Sequence, residues 1–321
     1  MQMRSTFCQA AAAARRGTSH VLRGIPCQDA VCLQHGTDAV TGEPVSAAVL
    51  CDGAGSAALS HQGAAAVSLA VAQLLIRQFS VLGEASLSAA RAAVLQCTKQ
   101  ALAREAAQLG CLPHQLASTL VAAAINEKDG TLLTIHLGDG VILGLDRSGK
   151  ALCLSSPDNG RFSNETWFTT SRDAARHLRI GWYDLQEEGC IAVYLSSDGL
   201  PLCRADGVPL PGLEMRLARL AVLAPQAAEW YLERMFDCES AYSDDDLSMI
   251  CLSAQDACFA LEPPTLRVLG VPAFSPKCSQ LLYLLKTQQS CSTVQAARLL
   301  HTHPRRVRIW HEKLTRQLLV P

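Results

Sequence analysis

Aromatic residues are scarce in this chain, at 5% of 321 positions, although 49% of it is hydrophobic. Its apolar content is carried largely by alanine and leucine, which suits a folded globular protein with closely approaching layers. No uncharged stretch of about 18 strongly apolar residues occurs, so a membrane-spanning helix is not expected. The short alanine run between Arg4 and Arg15 is too brief and too weakly hydrophobic for a signal peptide. There is no paired CxxC motif, which argues against a zinc-ribbon site. Phosphate-loop spacing is missing too: Gly53, Gly55 and Gly63 are not followed by the required Lys-Ser/Thr. Ser56 and His61 lack a nucleophile turn, which removes a serine-hydrolase reading.

Cysteine is plentiful, with 14 residues, but most stand singly in apolar runs, as at Cys51, Cys153, Cys190 and Cys251. Reduced, partly buried thiols in a cytoplasmic protein are the expected state. Net charge is nearly balanced but unevenly placed. Residues 1–260 hold 19 basic against 27 acidic side chains, a net −8, whereas residues 261–321 hold 9 against 2, a net +7. That asymmetry divides the chain into an acidic body over 1–260, a proline-containing linker over 261–274, and a basic helical module over 275–321.

Apolar runs at 45–51, 118–125, 131–137, 141–145, 191–195 and 247–252 predict strands, and Asp129-Gly130 predicts a hairpin. Helical spacing covers 62–80, 84–108 and 213–235, with Gly83 expected to separate the first two. Linked short strands with interposed helices predict a layered fold with antiparallel sheets.

Three of these strands carry carboxylates at their tips. Asp52 follows 45–51, Asp198 follows 191–195, and Asp245 precedes 247–252. Brought together, they would form an all-oxygen site for hard cations such as Mg²⁺ or Mn²⁺. The alternative stays open at this level, because Asp-Gly is a common turn and Asp244-Asp245-Asp246 could be a solvated loop. Asp139 belongs to the same ambiguous class.

In these residues the chain resembles the PPM family of metal-dependent serine/threonine phosphatases, also called protein phosphatase 2C. The resemblance runs in order through Gly17-Thr18-Ser19-His20, Cys27-Gln28-Asp29-Ala30, Asp52-Gly53-Ala54-Gly55, Ala117-Ser118-Thr119-Leu120, Gly138-Asp139-Gly140, Ser197-Asp198-Gly199 and Asp245-Asp246-Leu247-Ser248. Gly160 to Thr166 resembles a segment of the bacterial branches. What it implies is an α+β fold, a four-layer α-β-β-α sandwich around two antiparallel sheets, followed here by the small helical module. It further implies hydrolysis of phosphoserine and phosphothreonine in proteins by a water activated between two divalent cations, Mn²⁺ or Mg²⁺. Asp52 would bridge the metals, the Gly53 carbonyl would serve one, and Asp198 and Asp245 would complete the other. Asp29 would act through metal-bound water.

Several positions depart from the family pattern. Gln28 stands where many relatives carry Glu, and can hold water by hydrogen bonds without accepting its proton. Ala54 replaces a histidine of some eukaryotic relatives. Arg23 is the nearest candidate for the substrate phosphate, one position farther from Asp29 than usual, with His20 as a second. No Asp precedes Ser118, so a third cation is left open, and His114 is the nearest substitute. Asn164 could orient a flap beside the site, with Trp182 and Tyr183 in the same cover. A competing expectation is a regulatory protein that keeps the fold, has lost turnover, and binds phosphoproteins.

The basic module reads as three short helices of helix-turn-helix type, with Ser292 as an N-cap and His303-Pro304 as a break before a helix over Val307–Leu319. Docking of an acidic protein partner, or of the phosphatase body, is the favoured role. Contact of Arg305, Arg306 and Arg308 with DNA phosphates is the alternative.

Overall fold

Alanine favours helices in isolation, yet the run Phe7–Arg15 is a strand, β1. Tertiary pairing overrides the local preference. β1 lies antiparallel along β10 (Leu247–Ala254), with Ala11 and Ala13 buried, and Arg15 ends it by bonding Glu233 and Asp237. The structure, a computed structural model, describes residues 7–159, 166–203, 207–262, 265, 269, 276–287 and 291–318.

Two five-stranded antiparallel sheets form the centre. One contains β2 (Ala30–Thr37), β3 (Pro44–Cys51), β4 (Leu120–Asn126), β5 (Thr131–Leu137) and β8 (Arg179–Asp184), adjacent in that order. The other runs β1, β10, β9 (Cys190–Ser196), β6 (Val141–Asp146) and β7 (Ala151–Ser155). Strand alternation sorts their side chains into two cores. Ala48 and Leu50 of β3 join Val193, Tyr194 and Met249 in one core, which spans both sheets. Ala47, Val49 and Cys51 face the other way, into a second core with the helices α2 (Ser60–Arg77) and, beyond α3 (Phe79–Glu84), α4 (Leu87–Leu109). The fourth layer comprises α6 (Leu213–Val222), beside β10, and α7 (Pro225–Glu239), beside β1; a short α5 (Ala174–His177) precedes β8. The expected α-β-β-α sandwich is therefore present.

Several local readings change. Gly83 does not separate two helices; it lies inside α3, where its missing side chain admits the Trp182 ring 3.2 Å from an ideal Cβ. The break falls at Ser86, whose Oγ accepts from the Ala89 amide and caps α4. Trp182 and Tyr183 are not cover residues but part of edge strand β8, where Trp182 meets Phe79 edge-on at 5.4 Å. Ser118 lies outside β4 and forms an isolated bridge with Gly53 instead.

Beyond β10 the described residues form α8 (Ala257–Ala260), then α9 (Pro276–Thr287), α10 (Thr293–Leu299) and α11 (Pro304–Leu318). Ser292 caps α10 through a reciprocal pair of bonds with Gln295. Pro304 opens α11 three residues before the expected start, because proline at a first helical position sacrifices no hydrogen bond. Leu281, Leu282, Ala296, Ala297, Leu300, Val307 and Leu314 bury into the same core as α6 and α7. Lys286 is buried and its ammonium donates to the carbonyls of Ala221 and Ala254 and to Ser253 Oγ, fixing α9 to the ends of α6 and β10.

Candidate active site

The strands end where their acidic tips can meet. Asp52 leaves β3, Asp139 sits between β5 and β6, Asp198 leaves β9, and Asp245 precedes β10. All four line one cleft of about 530 Å³, together with His20, Arg23, Gln28 and Gly53. Carboxylate oxygens of Asp52, Asp139 and Asp198 lie within 4.8 Å of one another.

The cleft floor is held by backbone bonds. Thr119 Oγ1 accepts from the Asp52 amide at 2.9 Å, and the Thr119 amide donates to the Asp52 carbonyl at 2.7 Å. The Gly53 amide donates to the Gln28 carbonyl at 3.1 Å. A Cβ at Gly53 would stand 2.8 Å from that carbonyl oxygen and from Ser60 Cβ, so the turn admits no side chain.

Gathering these charges is costly. Burial, then the neighbouring Asp29 and Asp198 charges, hold the Asp52 carboxyl well above its ordinary range. Burial and Asp198 push Asp139 up to about 6. Asp29 rises to about 7, chiefly through burial, although the Ser248 and Ser197 hydroxyls favour its charged form. Asp245 is also raised, by burial first and by Asp198 among other charges. Asp139 Oδ1 and Asp29 Oδ2 are buried without a hydrogen-bond partner among the described residues. Unpartnered anionic oxygens in an all-oxygen set fit a hard divalent cation.

A second group able to hold a metal comprises His20, Asp245 and Asp246. Asp246, however, is buried and already employed. Its Oδ1 accepts from the Gly17 amide at 2.6 Å and lies 2.9 Å from His20 Nδ1, while its Oδ2 accepts from the Gln28 amide at 2.5 Å. It works as a latch between the start and end of the domain. Asp245 is exposed to the cleft and accepts from the Asp246 amide at 2.8 Å.

The protein phosphatase 2C family model matches residues 16–249, a span that takes in every one of these residues. The chain belongs to the protein phosphatase 2C family. It is 33% identical over 164 residues to serine/threonine-protein phosphatase 3 of Escherichia coli strain K12, a match covering 50% of this chain and 62% of that protein. It also superposes on a crystal structure of a bacterial serine phosphatase at a TM-score of 0.52 and 12% identity, covering 76% of this chain and 96% of the other. That likeness concerns the fold.

Within this 2C-type cleft, the helix α1 (Thr18–Arg23) supplies His20 and Arg23. Arg23 is exposed and braced at Ser19, with Nε donating to the carbonyl at 3.2 Å and Nη2 to the hydroxyl at 3.1 Å. Gln28 is buried, and its Nε2 donates to Ser60 Oγ at 2.6 Å. His114 is exposed on the turn Pro113–Leu116 and is not among the residues lining the cleft. Asn164 and Glu165 lie outside the described residues. The supporting residues Thr119, Ser197, Ser248 and Asp246 escaped sequence reasoning as site components. Ser197 and Ser248 stand beside Asp-containing strand ends, which is the signal that could have found them. The triple Asp by itself does not distinguish the latch from its exposed neighbour; the family resemblance singles out Asp245.

Proposed function

We propose that this chain hydrolyses phosphoserine and phosphothreonine in proteins with two divalent cations, Mn²⁺ or Mg²⁺, in the acidic cleft. The observation that carries this reading is the convergence of Asp52, Asp139 and Asp198 within 4.8 Å in a chain of the 2C family. Asp52, the Gly53 carbonyl, Asp198 and Asp245 would hold the cations, and the unpartnered Asp139 oxygen adds a donor that could serve a third. Such cations, when bound, lower the pKa of water and neutralise charge on phosphoryl oxygens.

The protein's own groups do the positioning. Arg23 lines the cleft, and its guanidinium would pair with the substrate phosphate. His20 is oriented by its Nδ1 contact with Asp246, which leaves its other ring nitrogen for the substrate side. Gln28 orients water by hydrogen bonding while its backbone holds the Gly53 turn. Asp29 is buried, and its charge acts on Asp52 and so adjusts the charge of the cluster.

The exposed Arg305, Arg306, Arg308 and Lys313 of α11 form a basic face suited to an acidic regulatory protein, with duplex DNA as the alternative occupant. Among the described residues no helix is long and apolar enough to cross a membrane. We place the protein in the cytoplasm because its cysteines stand singly in apolar runs, the pattern of thiols kept reduced there.

The test is Mn²⁺-dependent release of phosphate from phosphoserine and phosphothreonine peptides, compared with a phosphotyrosine peptide. Asp52→Asn should abolish it. Folded, cation-loaded protein that shows no turnover would instead support the phosphoprotein-binding alternative, which Gln28 in place of a carboxylate favours.

A further inference from the structure

Cys153 stands apart from the other thiols. Burial pushes Cys27, Cys251 and Cys258 up to about 12 and Cys190 to about 11, which makes them poor nucleophiles. Cys153, in β7, is exposed and lines a recess of about 450 Å³ with Arg179, Ser156, Tyr183 and Gly207. Its sulfur accepts a hydrogen bond from the Cys203 thiol, and with the Arg179 guanidinium nearby it falls to about 7 despite partial burial. The segment that carries Cys203 also returns to Cys153. A Cβ at Gly207 would lie 3.2 Å from Cys153 Sγ, and Cys203 pairs with Pro209 in an antiparallel bridge.

The position of the pair gives it a consequence. Cys203 lies five residues beyond Asp198 and shares a second recess with Asp139, Pro157, Asn159 and Asp198. Cys153 precedes Ser156 and Asp158, and the Asp158 amide donates to the Gly138 carbonyl, next to Asp139. The two sulfurs thus sit on segments that lead to two carboxylates of the cleft.

We propose that Cys153 and Cys203 form a reversible, peroxide-sensitive disulfide that switches the cleft off. In the first step the Cys153 thiolate attacks one peroxide oxygen, giving a sulfenic acid as the O–O bond breaks and hydroxide leaves. Next, the Cys203 sulfur attacks the Cys153 sulfur, the S–O bond breaks, and water departs with the thiol proton. Two electrons pass from the thiols to one peroxide. Drawing the sulfurs from hydrogen-bond contact to a covalent bond shifts the Asp198 segment by on the order of 1 Å. Metal–ligand distances in sound sites keep within about 0.2 Å of their ideal values, so a shift of this size takes a ligand out of range. Cation affinity therefore falls in the oxidised form.

The experiment treats the full-length reduced protein with graded hydrogen peroxide and maps its peptides without reduction. The 153–203 link should appear before any other cysteine is modified, and a thiol reductant should remove it. Mn²⁺ affinity, measured by calorimetry, should fall at least five-fold in the linked form and recover on reduction. Phosphatase turnover, which rests on the proposed function, should fall in parallel; Cys153→Ser should keep basal turnover and resist peroxide. Cys203→Ala should leave the sulfenic acid trappable by dimedone, and Cys203→Ser repeats that arm if the alanine variant folds poorly. Unlinked peptides at doses that oxidise other cysteines would overturn the proposal, as would a linked form with unchanged Mn²⁺ affinity. A link that lowers Mn²⁺ affinity in a protein without turnover would uphold it and count against the phosphatase reading alone.

Discussion

Removing cations should make this protein less stable as pH rises, the reverse of ordinary acid denaturation. In the cation-free fold Asp139 titrates at about 6 and Asp29 at about 7, against an ordinary 3.8 for both. Between these values the folded state binds more protons than the unfolded chain, so stability decreases with pH. The contribution is fully present below about pH 4 and lost as pH climbs through 6 to 7. For Asp139 alone, a rise of about two units corresponds to about 3 kcal/mol, reduced to roughly 1–3 kcal/mol because the side chain is part-exposed. In a chain of this size that is about 2–10 °C in melting temperature. The assay is thermal unfolding in EDTA from pH 5 to 8, wild type against Asp139→Asn. Asparagine cannot ionise, so the variant should gain on the wild type as pH rises. Excess Mn²⁺ should remove the wild type's decline by pairing the carboxylates. A stability difference between the two proteins that does not change with pH would refute the reasoning.

Asp246→Ala should destabilise by about 3–5 kcal/mol in urea unfolding, since it strands His20 and two buried amides. Arg23→Ala should raise KM for a phosphothreonine peptide about ten-fold with kcat little altered, as expected for loss of an exposed charged hydrogen bond to substrate. Lys286→Met should cost about 2–4 kcal/mol and speed proteolysis within 276–318, because it leaves the Ala221 and Ala254 carbonyls without their donor.

How much of this was legible depends on how each strand is buried. β3, β9 and β10 are covered on both faces, so they appear in the sequence as unbroken apolar runs with readable ends. β2, β7 and β8 are part-exposed and mix polar with apolar residues, and they gave no run to detect. β1 was concealed by alanine, whose local preference points to a helix. Asp52 and Asp198 could be picked out because each ends an apolar run. Asp139 could not be separated from a hairpin turn, since its membership of the cluster depends on the stacking of the two sheets. The roles of Asp245 and Asp246 depend on which carboxylate meets Gly17, a contact across 229 positions that no local pattern carries.

That contact also governs when the protein becomes competent during synthesis. Gly17, His20 and Gln28 emerge early, but the carboxylate that anchors them, and the strand that pairs with β1, arrive some 220 residues later. Until then β1 has no partner along its edge, and the α1 wall of the cleft has no anchor. Closing so long a loop is slow. A nascent chain therefore carries Asp52 and Asp198 without a finished cleft, and has no complete site before nearly all of the domain has been made.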